Sequence, residues 1–375
     1  KRYAHNNPVV EILDLNIENA LDPEENFKRE VSKMKPDIIG FSMSYDISFK
    51  WLKSVSDIAK KINPNIVTVA GGPAVTVAYE EILADAKNLD ALCYSEGELG
   101  LLGLVESPEP MKKLDGDPWI TKNKIKSSSF KPTAVYEDLD KVINVDYELV
   151  DVSAYSMKEA FSPFVKFHEG AKQFFIVTSR GCPFECVFCA EPSFHGANMR
   201  YANVDLVVEH VTNLVKNYGL TVLTMYDDQL LMNKQRAKEL FLKLAPLKIR
   251  VEMPNGVTLS YIDEEMAFLM KQAGVDTIFL AIESGSKRVL HEIIKKPLAF
   301  DRVKPTVKML QDNGIFATAF FVIGLPGESD EERMMNRDFI IDAGFDWAFF
   351  NYATPLRGSE LFKICKENGW IEEKY

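Results

Sequence analysis

The apolar positions of this chain come in short runs separated by stretches of helical length, and the runs fall into two series. In the first, residues 9–14, 37–42, 66–70 and 91–94 read as strands, with helices predicted near 51–62 and 77–87. Short apolar strands alternating with helices imply a parallel sheet, because each crossover lays a helix against one of its faces. In the second series, strands are predicted at 174–179, 221–227, 249–254, 276–283, 316–323 and 346–353. The intervening segments 204–218 and 234–244 carry apolar residues at three- and four-residue intervals, the helical period. A helix at 330–343 completes the set, with Glu331 and Glu332 suited to its N-terminal end. Six strand–helix units in succession predict a barrel or partial barrel, whose working rim is the carboxyl end of its strands.

Between about residues 100 and 150 the pattern breaks. Ser107-Pro108-Glu109-Pro110, Asp115-Gly116-Asp117-Pro118 and the polar run 124–129 read as connecting structure. The predicted division is a parallel-sheet domain over 1–105, a linker over 106–160 and a barrel over 161–375. The chain opens almost directly on a strand, so the sheet domain reads as incomplete at its N-terminus.

Composition narrows the class. The 375 residues, 46% hydrophobic and 26% charged, suffice for one large domain or two ordinary ones with real cores. A net charge of −11 offers no basic surface for nucleic acid. No apolar run approaches the ~18 residues of a membrane span, and the start lacks a signal-peptide pattern. Of the five cysteines, Cys182, Cys186 and Cys189 lie too close together for a disulfide framework, so a cytoplasmic location is expected. Cys93 and Cys365 read as small buried hydrophobes.

Those three cysteines are the most informative feature. They form Cys-x-x-x-Cys-x-x-Cys directly after the first barrel strand. Three thiolates can hold three irons of a 4Fe–4S cluster and leave the fourth open to a ligand, whereas a closed site has four cysteines. A structural zinc site completed by His195 is the rival reading. Other strand ends carry Tyr226-Asp227-Asp228-Gln229, 281–286 with Glu283 and Ser284, 323–328 with Gly324 and Gly327, and 354–359. Asp227, Asp228 and Glu283 could instead cap the helices that follow, and 324–328 could be a plain turn. In the first half the strand ends carry Ser42-Met43-Ser44, Gly71-Gly72-Pro73 and Ser95-Glu96-Gly97-Glu98. A tight turn is the bland reading of Gly71-Gly72-Pro73. Arg200 and Tyr201 read as surface residues, and His168, His195, His210 and His291 lack a convincing ligand partner nearby.

With an aromatic residue, Phe188, before the third cysteine, the motif resembles the signature of the radical S-adenosylmethionine superfamily, and the strand-end motifs follow in the order that family requires. The first half resembles the Rossmann-like cobalamin-binding domain of one subgroup, although no Asp-x-His-x-x-Gly signature is present. The resemblance implies an α/β protein in which that domain precedes a partial (β/α)6 TIM-like barrel. It implies a cluster on Cys182, Cys186 and Cys189, and S-adenosylmethionine held near Phe188, Asp227, Asp228, Glu283, Ser284, Gly324 and Gly327. Asp227 and Asp228 stand where the family binds the methionine ammonium, in place of the usual Gly-Gly-Glu. Cobalamin is implied near Ser42, Ser44, Gly71, Gly72, Pro73, Glu96 and Gly97, with the loops after 42, 70 and 94 facing the cysteine loop. The implied activity is a methyltransferase acting on an unactivated carbon or phosphorus centre through a 5′-deoxyadenosyl radical and methylcobalamin. A radical cyclase or rearrangement enzyme, or a non-catalytic iron–sulfur protein, is the alternative. The implied partners are a small-molecule or peptide substrate and an external electron donor such as flavodoxin or ferredoxin.

Overall fold

The computed structural model describes residues 4–15, 22–44, 48–155 and 170–372. In the first half, β1 (Ile38–Ser42), β2 (Val67–Gly71), β3 (Ala91–Cys93) and β4 (Trp119–Ile120) lie side by side in that order. The first three are parallel, with Ile38 opposite Val67 and Val69 opposite Ala91. The period of two in β2 explains its apolar run, because both faces are covered. Val67 and Val69 pack with Leu104 and Trp119 on one side. Ala70 packs with Ala74, Leu83 and Leu89 on the other. The helix Phe49–Ile62 sends Val55 and Ala59 against Phe27 and Val31 of the helix Pro23–Met34.

Two elements differ from expectation. Residues 9–14 form no strand: Val9 is 85% exposed and Ile12 is 54% exposed. An apolar run favours a strand, but a strand also needs a neighbour's backbone groups to pair with, and this segment pairs with no strand among the described residues. It flanks a cleft of about 2240 Å³ that runs along β1. Conversely, β4 lies inside the predicted linker and pairs antiparallel with β3, Leu92 opposite Ile120 and Cys93 opposite Trp119. Two residues are too short to show any period.

The second half holds β5 (Gln173–Ile176), then a two-stranded ribbon of β6 (Ser179–Arg180) and β7 (Arg200–Tyr201). It continues with β8 (Val222–Met225), β9 (Arg250–Glu252), β10 (Thr277–Glu283), β11 (Phe316–Ile323) and β12 (Trp347–Tyr352). The strands β5-β8-β9 and β10-β11-β12 form two parallel sheets, joined by a parallel bridge between Val257 and Leu280. The result is an open barrel of six strands. Helices Val204–Tyr218, Lys234–Leu244 and Asp330–Ala343 occupy the predicted ranges. The first two bury Val207, Val211, Leu214, Ala237, Leu240 and Leu244 in the core. Ser329 and Glu332 close a capping box at the start of the third. No described helix is long and apolar enough to cross a membrane.

Candidate active site

The cysteine loop leaves the barrel through a conformation only glycine adopts easily. Gly181 has φ +98°, and a Cβ there would overlap the carbonyl oxygen of Asn198. The loop is stitched down by its backbone: Cys182 N donates to Gly196 O (3.1 Å), Cys189 N to Cys186 O (2.9 Å) and Val187 N to Ile294 O (3.0 Å). Leu361 N donates back to Val187 O at 2.7 Å. All three thiols are free, Cys182 buried and the others half-buried. Burial pushes Cys186 up to about 11 and Cys189 up to about 12, and raises Cys182 as well. Binding a metal here must therefore expel protons.

The donor set suits a cluster better than one zinc ion. A tetrahedral zinc with bonds near 2.3 Å needs its sulfurs about 3.8 Å apart. Among the described residues, the group of three ligand atoms lying within 4.8 Å of one another is Glu191, His195 and Asp228, not the cysteines. His195, the fourth ligand of the zinc reading, is held between Glu191 Oε1 (2.6 Å) and Asp228 Oδ2 (3.1 Å). Burial alone would lower its pKa, but the bonds to these two carboxylates outweigh burial and raise it to about 9. His195 is a cation clamped beside the loop.

Asp227 and Asp228 stand at the end of β8, but both side chains turn back toward the entry of the cysteine loop. Asp227 Oδ1 accepts from Thr178 N (3.1 Å), Thr178 Oγ1 (2.7 Å) and Ser179 Oγ (2.6 Å). Asp228 Oδ2 accepts from Gly181 N at 2.7 Å. The carboxyl of Asp227 is buried, and its second oxygen has no partner. Helix capping is excluded, since Asn233 caps the following helix. Both acids brace the loop; a sequence shows that an acid ends a strand, not which way it faces.

The other barrel candidates divide. Glu283, with φ +70°, accepts from Lys296 Nζ at 2.8 Å, and both are buried. The buried Ser284 Oγ accepts from Ser286 N. Gly324 and Gly327 have φ +82° and +83°; a Cβ on the first meets nothing within 4 Å, and on the second only Ile293 Cδ1 at 3.8 Å. Their faces are open to a ligand. Phe188 is half-buried against the core.

In the sheet domain, Ser42 and Ser44 are exposed at the carboxyl end of β1. Gly72, with φ +116°, is required by the protein itself, since a Cβ there would overlap the Met43 carbonyl. Pro73 opens the helix Pro73–Val77, and a Cβ on Gly97 would sit 3.6 Å from Cys93 Sγ. Glu96 is not a free cofactor contact. It is 5% exposed and accepts from Arg180 Nη1 (3.0 Å), Arg200 Nη1 (3.0 Å), Arg200 Nη2 and Glu137 N (2.7 Å). Burial pushes its carboxyl up, but the Arg200 bonds and the other donors outweigh burial and hold it below the usual range. One acid on the loop after β3 thus grips both strands of the ribbon that carries the cysteines. Ser95 Oγ adds a bond to Phe194 O (2.9 Å), and Arg180 Nη2 reaches Glu98 (2.8 Å). Arg200 therefore belongs to the contact between the two halves, and Tyr201 stacks under Arg236. His210 is buried on its helix, and His168 lies outside the described residues. The latch of Glu96, Arg180 and Arg200 had no signal in the sequence, because its members are far apart along the chain.

The model of the radical SAM superfamily matches residues 176–340, and that of the B12 binding domain matches residues 3–105. An uncharacterized methyltransferase of Pyrococcus horikoshii is 29% identical over 91% of this chain and 72% of its own length. Cytidylyl-2-hydroxyethylphosphonate methyltransferase of Streptomyces wedmorensis is 29% identical over 93% and 70%. Further relatives are named as methylases or as cyclases. The radical S-adenosylmethionine methyltransferase TsrM of Kitasatospora setae, solved with cobalamin and a 4Fe–4S cluster, shares the fold with a TM-score of 0.73. It is 16% identical, over 98% of this chain and 74% of that one. Residues 176–340 are thus a radical S-adenosylmethionine superfamily region and residues 3–105 a B12-binding domain, the make-up of a cobalamin-dependent radical enzyme, and the cofactors this implies are a 4Fe–4S cluster, S-adenosylmethionine and cobalamin.

Proposed function

We propose that this enzyme is a methyltransferase acting on an unactivated carbon or phosphorus centre of a small-molecule or peptide substrate. The observation that carries the reading is the joint between the halves: Glu96, on a strand-end loop of the sheet domain, binds Arg180 and Arg200 at the foot of the cysteine loop. The printed names of several relatives support methyl transfer.

In this reading Cys182, Cys186 and Cys189 ligate the cluster, giving up their protons as it binds. When bound, cluster, S-adenosylmethionine and cobalamin supply the electron, the adenosyl radical and the methyl group. Asp227, Asp228 and the His195 cation hold the cysteine loop in register with β8. Gly324 and Gly327 leave room for the adenosine, and Phe188 places an apolar ring beside the cluster that excludes water. Ser42, Ser44 and the Gly71–Pro73 turn form the rim open to cobalamin. Electrons come from an external donor such as flavodoxin or ferredoxin.

Anaerobic protein carrying iron and corrinoid, given S-adenosylmethionine and a strong reductant, tests this without knowledge of the substrate. Methyl transfer requires S-adenosylhomocysteine to be released in proportion to the bound corrinoid. A second reading, radical cyclisation, is favoured by the relatives named as cyclases. Release of 5′-deoxyadenosine with no S-adenosylhomocysteine would select it and end the methyltransferase proposal.

A further inference from the structure

We propose that the substrate of this enzyme carries a planar aromatic ring, which stacks on the inner face of the barrel against Phe175 and Tyr226 of one sheet and Phe279, Phe320 and Phe349 of the other. This rests on the reading that a radical forms at the cysteine loop, and it names the chemical class of what that radical meets.

The two faces of the barrel strands differ in kind. On one face, alternate residues enter the core beneath the helices: Phe174, Leu223, Val251, Leu280 and Ala319 are all buried there. The residues between them face inward, and many are aromatic. Phe175 and Tyr226 pack with ring centres 5.5 Å apart. Phe279 and Phe320 stack at 5.1 Å with their planes 10° apart, and Phe349 lies 5.9 Å from Phe320. Phe279 is buried, yet it packs with these rings and not with the helix-side core. A closed barrel fills its interior with layers of packed, branched side chains. Here Phe175 stays 40% exposed and Tyr226 41% exposed, so the interior keeps room for a ligand.

The two groups of rings line one chamber, joined by the loop after β9. Asn255 Nδ2 donates to Tyr226 O (3.0 Å), and a Cβ on the next residue, Gly256, would meet Phe320 Cδ2 at 3.2 Å and Ala281 Cβ at 3.4 Å. One end of the chamber adjoins the cysteine loop, because Tyr226 directly precedes Asp227, whose carboxylate accepts from Thr178 and Ser179 at the loop entry. The other end is polar: Gln173 Nε2 donates to Thr224 Oγ1 (2.6 Å), and Arg250 Nε meets Glu252 Oε1 at 3.2 Å. These two charges, paired with each other, are the only ones among the described strand residues of that face. Thr318, beside Phe279 and Trp347 in the ladder, adds a buried hydroxyl that finds no partner among the described residues. The chamber therefore offers a ligand rings and not charge. Flat rings meet such walls in offset-stacked or edge-to-face contacts that a saturated ring does not make.

The test is a ligand-observed NMR titration of anaerobic protein carrying iron and corrinoid, with S-adenosylmethionine present and no reductant, so that no radical forms. The probes are indole and cyclooctanol, a flat and a saturated ring of equal heavy-atom count. Indole should bind saturably and about tenfold or more tightly than cyclooctanol, since it meets more than one ring. Phe320→Leu keeps an apolar side chain but removes a ring; it should weaken indole by about three- to tenfold and cyclooctanol by less than about twofold. Phe175→Leu should do the same from the other sheet, and it decides alone should Phe320→Leu fail to fold. Equal affinity for the two probes, no saturable binding of indole, or equal losses for both probes in the variants overturns the proposal. Failure of the methyltransferase reading is a separate result: turnover without S-adenosylhomocysteine would end that reading and leave the ring selectivity standing.

Discussion

Replacing Glu96 with alanine should loosen the joint between the two halves by about 2–3 kcal/mol. Breaking a buried ion pair from one side typically costs about 3–5 kcal/mol, because the partner charge is left uncompensated. Two features reduce that figure here. Arg180 keeps Glu98 at 2.8 Å, and Arg200 keeps the carbonyls of Glu137 (3.0 Å) and His195 (3.3 Å) and the Tyr136 ring at 4.8 Å. The two arginine side chains are also 17% and 21% exposed, so water reaches them. With a urea dependence of roughly 1–3 kcal/mol per molar, the loss moves the unfolding midpoint by about 1 M. Fluorescence of the buried Trp119, on β4 beside β3, reports it. Glu98→Ala is the control: Glu98 is 39% exposed, so its loss should cost under about 0.5 kcal/mol. The two variants also differ in pH response. The Glu96 carboxyl is held below its ordinary value, so its stabilisation is complete above about pH 4.5 and vanishes as pH falls through the folded-state value. The gap between parent and Glu96→Ala should be constant from pH 8 to about pH 5 and close in acid. Equal midpoints for Glu96→Ala and Glu98→Ala at neutral pH would refute the latch.

Cys186→Ala should abolish cluster binding, and full iron content in that variant would remove the ligand assignment. Gly181→Ala pairs a side chain with φ +98° and an overlap with Asn198 O, so it should cost about 1–3 kcal/mol and lower the iron retained per chain; unchanged stability and iron would show that the loop entry is not fixed by that turn. The His195 imidazole should stay protonated at neutral pH and titrate near pH 9 in metal-free protein followed by NMR. Because folding raises this pKa, its stabilisation is complete below about pH 6.5 and is lost as pH rises through about 9. A titration midpoint near 6.5 would dissolve the clamp with Glu191 and Asp228.

What was legible in the chain depended on whether a signal is local. The helix ranges 204–218, 234–244 and 330–343 and the strand 316–323 are readable because one apolar stripe or run meets one core, and the stripe is written in neighbouring positions. The thiol spacing of Cys182, Cys186 and Cys189 is equally local and announces its own chemistry. Strand character at 9–14 fails for the complementary reason: pairing belongs to two segments, and one segment cannot supply it. Charges are the extreme case. Asp227 and Asp228 read as ligands for a cation until their oxygens are seen to accept from Thr178, Ser179 and Gly181. Glu96 reads as a loop acid until two arginines of the other half close on it. A buried charge acquires meaning only from its counter-charge, and here the counter-charges lie on other strands or in the other half. The cysteine motif is therefore written in eight consecutive residues, Cys182–Cys189, while the charges that hold its loop are written across both halves of the chain.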